Sequence, residues 1–114
     1  MKRTIALLTT GMMAAPPANG FPIVGSQGLV PNARAIVDYV QSTYPGVQSI
    51  GGVRADALPD HPSGRAVDIM IGSNMGLGDT IYGDLLSQRS RFNISYCLWR
   101  VANHFNHVHC SVAS

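Results

Sequence analysis

The 114-residue sequence predicts an α+β domain, a small antiparallel sheet flanked by short helices. Three observations carry this. Apolar residues repeat at helical spacing in some stretches and alternate with period two in others. The two kinds are mixed without the regular alternation of a parallel α/β fold. The last two strand-like runs, 94–100 and 107–112, lie close enough in sequence to pair as an antiparallel hairpin. No internal repeat is visible.

Taken in order, the chain opens on Met1-Lys2-Arg3, followed by an uncharged, mostly apolar or small stretch, 4–15. Small residues and prolines come next, through Gly20. This reads as a secretory signal peptide, 1–18, with cleavage expected after Ala18. Its apolar stretch is short of the roughly 20 residues that span a bilayer as a helix. Residues 19–30 are rich in Gly, Pro and Ser and are expected as a linker. That leaves 31–114 as the domain. Pro31 suits a first helical position, and Ile36, Val37, Val40 and Tyr44 fall on one face of a helix over 32–44. Pro45-Gly46 stops it. Residues 48–54 read as a strand interrupted by Gly51-Gly52, where another backbone can approach closely. A polar loop, 55–65, precedes a strand over 66–71. Its Val67, Ile69 and Ile71 face one way, and Ala66, Asp68 and Met70 the other. A turn-rich connection, 72–78, leads to a short helix over 79–88 with Ile81, Tyr82, Leu85 and Leu86 as its apolar side.

With Lys2 and Arg3 set aside, six arginines face six aspartates and no lysine remains. A neutral surface of this kind argues against nucleic acid, or a membrane once the signal is removed, as a partner. The domain is expected to be secreted or cell-wall associated and to act as a monomer. An exported chain meets oxidising conditions, so the two cysteines suggest a disulfide. One hairpin register serves both cysteines and histidines. With Cys97 opposite Cys110, Trp99 faces Val108 on the same side. His107 and His109 then share the other face with Leu98 and Arg100.

Three of the four histidines fall in the run 104–109. The fourth, His61, begins His61-Pro62-Ser63-Gly64-Arg65-Ala66-Val67-Asp68. Asp68 interrupts an apolar strand, where a carboxylate needs a partner. Zinc is one natural partner, since it takes imidazole nitrogen and carboxylate oxygen. An arginine is another, and the same residues also suit a hydrogen-bonded polar cluster. Both strand histidines are placed to ligate, since i and i+2 share a face. Arg54 can equally pair with Asp56 or Asp60.

The pattern His61-x-x-Gly64-x-Ala66-x-Asp68, followed by His107-x-His109, resembles the zinc peptidase fold of D-alanyl-D-alanine peptidases, lysostaphin-type endopeptidases and hedgehog signalling domains. A group of actinobacterial and fungal secreted domains also reads similarly through 94–100 and 103–112. The resemblance covers roughly 30–113. It implies zinc held by His61, Asp68 and His109 with a fourth position open, the catalytic arrangement. It implies His107 as general base or water-orienting group, and His104 as a further active-site histidine. Arg54 would stabilise developing negative charge. The implied activity is hydrolysis of peptide bonds in peptidoglycan. Some branches use a glutamate base, and this chain has no glutamate at all. The resemblance then points to the branch in which histidines serve, or to a zinc-containing module that binds cell wall without cutting.

Overall fold

The structure, a computed structural model, describes residues 20–114. The expected signal segment, 1–18, lies outside the described residues. The fold is α+β. Its elements are β1 (Ile23–Val24), α1 (Pro31–Thr43), β2 (Ser49–Gly51), β3 (Ala66–Met70), α2 (Met75–Ser87), α3 (Arg89–Phe92), β4 (Ile94–Leu98) and β5 (His107–Val112). Five strands form one sheet in the order β1-β2-β3-β5-β4, antiparallel except for the β1–β2 pair. Among the described residues no helix is long and apolar enough to cross a membrane.

The helices cover one face of the sheet. α1 turns Ala33, Ile36, Val37 and Val40 inward, and α2 turns in Ile81 and Leu85. These meet Ile50, Val67, Ile69, Val108, Cys110 and Val112 in one apolar core. The alternation expected for the third strand holds, since Val67 and Ile69 join the core while Asp68 lies on the opposite face. That face carries the polar site.

Four expectations need correction. The stretch expected as a linker, 19–30, contributes β1. Gly52 N–H donates to Val24 O and Val53 N–H to Gly25 O, both at 2.8 Å. Gly52 is required here, because a Cβ on it would sit 2.5 Å from Gly25 O. The helix expected over 79–88 begins four residues earlier, at Met75, because Asn74 Oδ1 accepts from Leu77 N–H and caps it. Gly78 lies in that first part, against the Trp99 ring, where a Cβ would come within 2.2 Å of ring carbons. The third helix, α3, was not expected. The strand expected over 94–100 ends at Leu98 and carries a bulge between Ile94 and Tyr96. One inserted residue lets Ile94, Cys97 and Trp99 all reach the core while Tyr96 and Leu98 line the polar face.

The hairpin register is as expected at the cysteines. Cys97 pairs with Cys110 and the two form a disulfide, with Cα atoms 4.1 Å apart. Beyond Leu98 the strands part. Arg100 and Asn103 take positive φ, and Arg100 N–H donates to His104 O across a tight reversal. Arg100 therefore does not join the histidine face. It donates instead to both oxygens of Asp79, which also accepts from the Trp99 indole N–H.

α1 and α2 are clamped by Asp84, whose carboxylate accepts from the hydroxyls of Tyr39 and Tyr44 and from Gln88 Nε2. Burial pushes the Asp84 carboxyl up, and the three hydrogen bonds more than offset this, so its pKa lies below the usual value. Asp84→Asn is expected to lower stability by about 1–3 kcal/mol, read from the urea midpoint. A depressed folded-state pKa stabilises above the unfolded value, about 3.9, and that contribution fades as pH falls through the folded value. The gap between parent and variant should therefore close in acid; a gap that persists unchanged at the lowest folded pH would contradict this.

Candidate metal centre

β3 and β5 are neighbours in the middle of the sheet, and their register sets Asp68 opposite His109. Period-two alternation turns both to the polar face. His61 reaches the same point from the preceding loop. That loop reverses at Gly64, with φ of +77°, where a Cβ would meet Gly28 O at 2.0 Å. All three side chains are buried. One ligand atom from each lies within 4.8 Å of the others.

The hydrogen bonds decide how the imidazoles are presented. His61 Nδ1 lies 2.8 Å from Gly52 O. A carbonyl only accepts, so Nδ1 carries the proton and donates, leaving the lone pair of a neutral ring on Nε2. That atom is 3.2 Å from Asp68 Oδ2, yet it has no hydrogen-bond partner although it is fully buried. A buried polar atom without a partner demands an explanation, and a role as metal ligand would supply one. Asp68 is approached from several sides. His109 Nδ1 lies 2.9 Å from Oδ1, and Arg54 Nη1 donates to Oδ2 at 2.9 Å. Burial pushes the Asp68 carboxyl up, and this is outweighed by the hydrogen bond to His109 and by the electrostatic pull of the imidazoles of His61 and His107 whenever either carries a proton. Its pKa is held below the usual carboxylate value.

His107 lies beside this group, with Nε2 3.7 Å from Asp68 Oδ1. Its Nδ1 faces Asn106 Oδ1 at 2.8 Å, which again leaves Nε2 free toward the site. Burial pulls the His107 pKa down; Asp68 opposes this and His104 adds to it, so the ring favours its neutral form. His104 is drawn into the same cluster by the tight reversal. Its ring centroid is 4.8 Å from that of His107 and 5.8 Å from that of His109. Arg54 sits half-exposed at the rim, spanning Asp68 and, at 3.6 Å, Asp56. All six residues expected from the sequence are therefore brought together around one cleft of about 350 Å³. A wider depression of about 690 Å³ lies beyond Asn103, next to Phe105, and has no titratable side chain in its lining. The chemistry sits in the smaller one.

The family model for the VldE C-terminal domain matches residues 25–107, well over half of the chain. The chain belongs to that family. No curated protein and no solved structure matches it. In this VldE C-terminal domain the matched segment takes in Arg54, His61, Asp68, His104 and His107. His109 lies two residues beyond its end.

Sequence reasoning missed three residues that support the site of this family member. Ser111 Oγ lies 2.9 Å from His109 Nε2 and donates to Asp60 Oδ2 at 2.7 Å. Tyr96 hydroxyl also donates to Asp60, and its ring stacks on His109 with centroids 5.7 Å apart. The signal for Ser111 was present, since 107, 109 and 111 share one strand face.

Proposed function

We propose that the domain is an exported zinc-dependent peptidase-like domain acting on peptide bonds of peptidoglycan, of the hedgehog/D-alanyl-D-alanine peptidase type. The observation that carries the metal reading is the buried, unpartnered Nε2 of His61, aimed at Asp68 beside His109. His61, Asp68 and His109 would hold the ion, and the N/O donor set suits zinc. When bound, zinc supplies Lewis-acid polarisation of a carbonyl and acidifies water.

The remaining roles belong to the chain. His107 Nε2, free and turned to the site, accepts the proton of the attacking water. Asn106 holds the ring in that orientation. This fills the place of the glutamate that the chain lacks. Arg54, the cation that lines the cleft, would stabilise developing negative charge. The sequence motif supports the peptidase type, and the resemblance it carries supplies the substrate class.

The test begins with elemental analysis of the purified chain. About one zinc per chain is expected, and less than about 0.1 would sink the metal reading. The loaded protein is then incubated with purified peptidoglycan and scored for new amino termini. His107→Ala is expected to slow their release by about 10²–10⁴-fold with zinc retained. Zinc-loaded protein that sediments with peptidoglycan but releases no termini would instead identify a binding module. The connection before His104, only the four residues 100–103, and the absence of glutamate favour that second reading.

A further inference from the structure

We infer that Asp60 and Ser111 are positioning residues that fix the tautomer of His109 and so decide which of its nitrogens faces the ligand set. This rests on the metal reading above but concerns residues outside the three ligands.

The argument follows protons from the outside inward. The Asp60 carboxylate accepts from Tyr96 hydroxyl, from Ser111 Oγ at 2.7 Å and from Arg65 Nη2 at 3.3 Å. An ionised carboxylate only accepts. Ser111 has a single hydroxyl proton, and Asp60 takes it. Toward His109 Nε2, 2.9 Å away, Ser111 Oγ can then act only as an acceptor. His109 Nε2 must carry a proton. Nδ1, 2.9 Å from Asp68 Oδ1, is then the nitrogen left for an ion to engage; without the ion, its proton is the one that Asp68 accepts. A ring with no proton on Nε2 would set two lone pairs against each other at a site where Ser111 is 1% and His109 7% exposed.

Backbone and side chain thus do the same work for two ligands. Gly52 O directs His61 to offer Nε2, and the Asp60–Ser111 pair directs His109 to offer Nδ1. The two nitrogens converge beside Asp68. Asp60 directly precedes His61, so the loop that delivers one ligand also delivers the acceptor that orients the other. Such outer partners of metal-bound histidine are worth about 10–100-fold in metal affinity.

Zinc affinity is measured on the full chain by competition with a chromophoric chelator. Imidazole tautomers are read from long-range ¹H–¹⁵N correlations. In the parent, His109 is expected to carry a proton on Nε2, both with zinc and metal-free. Ser111→Ala and Asp60→Asn are each expected to weaken zinc binding by about 10–100-fold and to lose the single-tautomer signature. Tyr96→Phe leaves the Ser111–His109 contact in place and should stay within about threefold. A parent His109 with no proton on Nε2, or folded Ser111→Ala that binds zinc like the parent, overturns the inference. A parent that binds no zinc removes the metal reading instead, and the Nε2 proton of the metal-free ring still tests this one.

Discussion

His61→Ala is expected to abolish zinc binding and, with it, a large zinc-dependent rise in melting temperature. A ligand at about 100 times its dissociation constant stabilises the folded state by about 2.7 kcal/mol. In a domain of 60–100 residues each kcal/mol moves the melting temperature by about 4–8 °C. The parent should therefore melt about 10–20 °C higher with zinc than with chelator, and the variant should show no such difference. The loss of affinity should exceed the 10–100-fold expected for an outer partner, because His61 supplies a direct ligand atom. Differential scanning with and without zinc decides it, and an equal rise in parent and variant would remove His61 from the ligand set. The variant is also informative without metal. It deletes a buried nitrogen that lacks a partner, so it removes a source of unfavourable energy along with a ring packed 5.1 Å from His109.

The second large effect concerns the disulfide. Cys97 and Cys110 are separated by 13 residues, a closed loop that by chain entropy contributes about 3 kcal/mol. Cys97→Ala with Cys110→Ala is expected to lower the melting temperature by about 10–20 °C. A double variant melting within about 3 °C of the parent would show that the bridge contributes little. The effect on the site should be uneven. The closed loop contains His104, His107 and His109 as well as the tight reversal next to β4. Asp68 and His61 lie outside it, and His109 is also held opposite Asp68 by the β3–β5 ladder. Zinc should still bind the double variant, while any peptide cleavage that depends on His107 falls.

Helix α1 was legible because Pro31 marks its start and its apolar residues keep one face. Strands β3 and β5 were legible because alternation separates core from site residue by residue. The same alternation grouped His107 with His109 and the cysteines with the core. Strand β1 was not legible. Two residues carry no period, and the strand exists because Gly52 lets Gly25 approach. The start of α2 was obscured by Gly76 and Gly78, poor helix formers. The cap at Asn74 outweighs their low propensity, and Gly78 leaves the room that Trp99 fills. The turn of Arg100 toward Asp79 depends on a positive φ and a partner 21 residues away. Neither is written in the local pattern. Of the site, the buried group of His61, Asp68 and His109 was readable from motif spacing. The acceptors that orient them were not, because Gly52 acts through a backbone oxygen and Asp60 through a serine on a distant strand.

The pairing of Asp68 with His109 has a consequence for how the chain reaches its fold. A slip of one residue between β3 and β5 would turn His109 into the apolar layer and leave Asp68 facing a valine or a cysteine. Such a chain would have nearly the same backbone ladder but would lack a place for the ion. Metal uptake would thereby act as a proofreader of strand alignment, because only chains with the correct alignment gain its binding energy. Refolding yield, more than the folded structure, is where that selection would be seen.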